Sequence, residues 1–138
     1  MGRPRTFESE AVASNVAALV LERGYDAVGI DDITRATGVG RGSLYRVFGS
    51  KAGVIAVALA AAAERNDPLL AQLTALVLAS SAALDPLIRP ELTRGLAVIG
   101  SAGDPELQLG RALLERHREL HPSTSDLHDT HPTHTTET

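Results

Sequence analysis

Apolar positions recur along this chain at helical intervals, and no stretch alternates convincingly with a period of two. Val12, Val16, Leu19 and Val20 make an i, i+4, i+7, i+8 stripe over a first helix from about Glu8 to Arg23, and Gly24 is a natural stop. A short second helix is predicted from Ile30 to Thr37, with Ile30 and Ile33 facing inward. Asp31 and Asp32 fall in its first turn, where the helix dipole favours acids, and Gly38 ends it. A tight turn through Gly38, Val39 and Gly40 leads to a third helix, Arg41 to Phe48, and Ser50 caps a fourth that runs to about Arg65. Asp67-Pro68, Asp85-Pro86 and Asp104-Pro105 each pair an N-cap acceptor with a proline at the first helical position. They predict helices at about 68–84, 86–101 (interrupted near Pro90) and 105–120. The stretch from His121 to Thr138 is almost without apolar residues and reads as disordered. The expected fold is all-α, with a helix-turn-helix head over 5–65, a helical C-terminal region over 66–121 and a tail over 122–138.

The third helix poses the functional question. Leu44 and Phe48 share one face, which leaves Gly42, Ser43 and Arg46 pointing away and Arg41 and Tyr45 on the margins. A net charge of −4 looks wrong for a nucleic-acid binder until the chain is divided. Residues 1–66 carry eight Lys/Arg and seven Asp/Glu, residues 67–138 five and ten. Within Arg35–Lys51 there are four basic residues, Arg35, Arg41, Arg46 and Lys51, and no acid. Local field, not net charge, governs binding to a polyanion. A helix, a three-residue turn and a helix dressed with donors form a helix-turn-helix, whose second helix docks in the major groove.

Other chemistries find little support. The chain has no cysteine, so disulfides, thiolate metal sites and thiol nucleophiles are excluded. All five histidines lie beyond residue 116, so Ser43 has no base near it in sequence. Gly38–Ser43 follows a helix rather than a strand and lacks the Gly-Lys-Ser/Thr ending of a phosphate-binding loop. No catalytic residue, cofactor or metal is therefore assigned. The histidines at 117, 121, 128, 131 and 134 lack the fixed scaffold a metal site needs. The apolar run Val54–Ala63 is too short to span a bilayer, and no secretory leader opens the chain. A cytoplasmic location without membrane association is expected. Gly2-Arg3-Pro4-Arg5 offers a short basic arm of the kind that reaches into a minor groove.

The stretch Glu22–Val54, ERGYDAVGIDDITRATGVGRGSLYRVFGSKAGV, resembles the TetR family of bacterial transcriptional regulators. Gly-Tyr before the second helix, Gly-Val in the turn, then Gly-Ser-Leu-Tyr, Phe and Ser-Lys at fixed spacing carry the resemblance. It implies a repressor that binds double-stranded operator DNA as a homodimer and releases it when an apolar small-molecule effector enters the later helices. It also implies roles residue by residue. Tyr45 would reach a phosphate or base, Ser43 would bond phosphate and Lys51 would clamp one at the start of the fourth helix. Gly42 would let the backbone approach, Arg41 and Arg46 would reach bases or phosphates, and Arg35 would add a nonspecific phosphate contact. Two positions depart from the family, Gly29 and Gly40, where a hydroxyl residue is usual. Family members usually dimerise through two further long helices. The eighteen residues after Leu120 leave no room for them. Either the helices at about 86–120 have taken over the interface, or the chain is a truncated member that dimerises poorly. The apolar positions Leu107, Leu113, Leu114 and Leu120 favour the first. Two other readings stay open at this point, a helical interaction protein that has lost DNA binding and a metal-responsive binder that uses the histidine tail.

Overall fold

A computed structural model describes residues 5–120, and within them the chain forms seven α-helices and no strand. In order these are α1 (Arg5–Arg23), α2 (Ile30–Thr37), α3 (Arg41–Phe48), α4 (Lys51–Glu64), α5 (Leu70–Leu78), α6 (Arg89–Ser101) and α7 (Pro105–Leu120), with a 3-10 turn at Ser81–Leu84. The all-α expectation is met. The basic arm at 2–4 and the tail at 122–138 lie outside the described residues, as do the histidines at 121, 128, 131 and 134.

α1 is the spine of the head. It packs along α4 and α2, and its stripe of Val12, Val16 and Val20 is buried. Gly24 ends it with φ +80 and a hydrogen bond from its N–H to the Val20 carbonyl. Tyr25 then folds back into the core. α2 and α3 begin and end at the residues the sequence predicts, because glycines bracket both. α4 is apolar on nearly every side, and the structure uses all of them. It meets α1 and α3 on one flank and α5 and α6 on the other. One buried cluster therefore runs without a break from Val12 through Ile33, Leu44, Ile55 and Leu59 to Leu73, Ile88, Leu92 and Ile99.

The later helices differ from the Asp-Pro expectation in three places. At Asp67 and Asp85 the carboxylate accepts from the N–H two residues on, Leu69 at 2.9 Å and Leu87 at 2.9 Å, and so closes a turn before any helix begins. α5 accordingly starts at Leu70 and α6 at Arg89, and Pro90 sits in the first turn of α6 rather than interrupting it. Only Asp104 caps its helix directly, accepting from Glu106 and Leu107. The expected 68–84 helix breaks after Leu78. Ser80 donates to the Val77 carbonyl and accepts from Ala82 N–H, which starts the 3-10 turn. These hydroxyl bonds to nearby backbone compete with helix continuation.

Candidate nucleic-acid interface

The α2–turn–α3 unit is built from short local bonds. Gly29 caps α2 in an extended conformation, and the Asp32 carboxylate reaches back to accept its N–H at 2.8 Å. This supplies half of a capping box and bears on the absent hydroxyl at Gly29. The backbone bond from Gly29 is the largest influence holding the Asp32 carboxyl below its usual range; Arg23 and Arg35 add to it, against a smaller opposing effect of desolvation. Both guanidiniums stand over Asp32, at 3.2 and 3.3 Å. At the other end Thr37 donates to the Ile33 carbonyl and accepts from Val39 N–H, while Gly38 takes a left-handed φ of +72. That turn aims α3 away from α2.

Leu44 is fully buried and Phe48 half-buried, and together they fasten α3 to the head. The axes of α3 and α4 are bent by 67°. Gly53 makes this junction possible, because a Cβ there would lie 1.9 Å from the Phe48 carbonyl oxygen. Ser50 caps α4 by accepting from Gly53 N–H at 3.1 Å. Sequence reasoning missed Gly53. A glycine inside an otherwise apolar helix is the signal that marks a close backbone approach.

Gly42 and Arg46 lie exposed on α3 as expected, and Arg41 and Tyr45, expected at the margins, are exposed as well. Ser43 is half-buried, closer to the margin than expected. With Val12 of α1 and with Arg46 and Val47 it lines an open groove of about 850 Å³ beside the helix. Val47, 62% exposed, is an apolar residue on this surface that the sequence reading did not single out. The four basic residues have different surroundings. Arg35 pairs with Asp32, and Arg41 pairs with Asp31 across the turn at 3.1 Å. Lys51 is half-buried, with its ammonium 4.0 Å from the centre of the Tyr25 ring. Burial pushes the Lys51 pKa down, and Asp26 and Asp32 oppose that shift. Arg46 is exposed and makes no ion pair among the described residues.

Elsewhere the described residues offer less for chemistry. They contain no group of His, Asp and Glu side chains that could hold a metal ion. No single helix among them is long and apolar enough to cross a membrane. Two small open clefts lie elsewhere, one between α1 and the α4–α5 segment and one between α5 and α7. One, of about 130 Å³, is lined by Ala17, Leu21, Ala62 and Leu73, and the other, of about 180 Å³, by Pro68, Gln108, Arg111 and Glu115.

A short helix held by two apolar anchors, with donors on its outer face and a glycine turn before it, makes α2 and α3 a helix-turn-helix unit. Residues 16–58 match the model of the bacterial regulatory proteins of the TetR family. A 53-residue stretch is 43% identical to the HTH-type transcriptional repressor BdcR of Escherichia coli (strain K12), covering 38% of this chain and 27% of that protein. No solved structure matches the chain significantly. Residues 16–58, from α1 through α2 and α3 into α4, are thus similar to the TetR family of bacterial regulatory proteins.

Proposed function

We propose that this protein is a transcriptional repressor that binds operator DNA as a homodimer, acts in the cytoplasm and catalyses no reaction. The observation that carries the reading is the outer face of α3, where Arg41, Gly42, Tyr45 and Arg46 stand exposed on a helix pinned by Leu44. A helix so mounted fits the major groove, where its first residues meet base edges and its flanks meet phosphate. Ser43, Lys51 and Arg35 complete the phosphate contacts, with Lys51 leaving the Tyr25 ring to do so. An apolar effector is part of the proposal. The two clefts that touch the later helices, at about 130 and 180 Å³, are smaller than the 300–1,000 Å³ typical of ligand pockets. Binding would therefore have to open α4–α7, and release of DNA would follow if the opened state held the head differently.

The test is binding to a duplex from the promoter region beside its own gene, measured by fluorescence anisotropy across salt concentrations. Tyr45→Ala and Arg46→Ala are expected to weaken binding without loss of helicity. Loss of a phosphate contact lowers the salt slope by about one. A second reading draws support from the ion pairs of Arg35 and Arg41, which already neutralise two of the four basic residues. On that reading the head is a protein-docking unit, and no duplex binds even at 50 mM salt.

A further inference from the structure

We infer that Asp31 is a positioning residue for base recognition: it holds the Arg41 guanidinium at the N-terminus of α3 in the orientation that reads a guanine. The inference rests on the DNA-binding reading above and adds a division of labour among the basic side chains. Arg41 is the first residue of α3, and helix-turn-helix proteins meet base edges with the first residues of that helix. A cation at a helix N-terminus is opposed by the dipole, so an unassisted Arg41 would swing away. Asp31, in the first turn of α2, forms an ion pair with Arg41, its Oδ1 3.1 Å from Nη2 across the glycine turn.

One edge of a guanidinium is thereby engaged, and the other donors of the fork stay available for the O6 and N7 acceptors of guanine. Both side chains remain open to solvent, 57% for Arg41 and 74% for Asp31, so a duplex can reach them. As an isolated surface ion pair the contact adds little to stability. Its effect lies in ordering: an arginine restrained before binding loses less rotamer freedom on contact. The carboxylate also repels phosphate, so it weakens binding to any sequence. Arg46, without an ion pair among the described residues, serves the opposite end as a sequence-independent phosphate contact.

These opposed effects separate in one experiment. Sites are selected from a random duplex pool with the full chain. Affinities for the selected duplex and a scrambled one are then measured for the parent, Asp31→Asn, Asp31→Glu, Arg41→Ala and Arg41→Lys, with helicity checked by circular dichroism. The parent is expected to select a fixed guanine. Arg41→Ala and Arg41→Lys lose that preference, by roughly 5- to 150-fold, and Arg41→Lys keeps the parent's salt slope. Asp31→Asn binds scrambled DNA more tightly than the parent while its preference for guanine falls, and Asp31→Glu restores part of that preference. Equal changes on both duplexes in Asp31→Asn would make Asp31 a mere surface charge and overturn the inference, leaving the DNA-binding reading intact. A parent that binds no duplex overturns both.

Discussion

Two glycines with opposite expected responses show how far single residues decide this head. Gly53 lies inside α4, where alanine gains about 1 kcal/mol of helix propensity over glycine. Its Cβ would meet the Phe48 carbonyl oxygen at 1.9 Å, and that obstacle is backbone, which cannot turn aside. The overpacking cost of about 1–3 kcal/mol exceeds the gain. Gly53→Ala is expected to lower stability in urea titrations. It should also lower DNA affinity further than the stability loss accounts for, because α3 must move relative to α4. Gly40 is the reverse case. It caps α3 with φ −65 and ψ 148, angles any residue adopts, and nothing lies within 4 Å of an added Cβ. Gly40→Ser supplies the missing cap acceptor and is expected to add a few tenths of a kcal/mol of stability, read as a slightly higher melting temperature. A drop on thermal denaturation would show that the turn depends on glycine after all.

Elements were legible where their ends carry local signals, and illegible where a partner from another element decides. Glycines on both sides and two acids in the first turn delimit α2, and its bounds agree between sequence and structure. The facing of α3 was equally readable, since Leu44 and Phe48 fix the buried side. The pairing of Arg41 with Asp31 was not, because the turn that joins them sets a distance no helical period encodes. The same holds for the junction between the head and the later helices. There the loop after α1 is tied to the 3-10 turn: Asp26 accepts from both the hydroxyl and the N–H of Ser81. Arg116 of α7 also donates to the Glu22 carbonyl near the end of α1, at 3.2 Å. The Ser81 hydroxyl is the largest influence lowering the Asp26 pKa below 3.8, against an opposing effect of desolvation and with smaller help from Ser81 N–H and Lys51. A carboxylate with a depressed folded-state pKa adds stability above its unfolded value and loses it as pH falls through the folded one. The parent should therefore exceed Ser81→Ala in stability at pH 6, and the gap should close as pH falls below 3.8. An NMR titration should find the Asp26 carboxyl titrating higher in Ser81→Ala. An unchanged midpoint would show that the junction bond is absent in solution.

At the scale of the whole molecule, the question is what covers α7. The helix turns Ala112 inward against its neighbours, and α5 is the one it meets most closely. Leu107 and Leu114 lie seven residues apart, as do Leu113 and Leu120, so each pair shares a face and forms a stripe along the helix. These four side chains are 55%, 58%, 41% and 56% exposed. A single head reads too few base pairs for operator-level specificity, and a two-fold dimer brings two heads to half-sites about one helical turn apart. A second copy laid along these stripes would complete both requirements. In a two-fold interface each leucine counts twice, and full burial of one such side chain is worth about 1.5–3 kcal/mol. Leu114→Glu is therefore expected to weaken dimerisation by more than tenfold while leaving the buried core untouched. Light scattering from 1 to 100 µM would follow the mass of the parent and the variant, with each repeated on operator DNA. The parent should approach twice the monomer mass as concentration rises, with Leu114→Glu lagging behind it. If the parent stays monomeric throughout and binds DNA as one copy, the α7 interface and the repressor reading fail together.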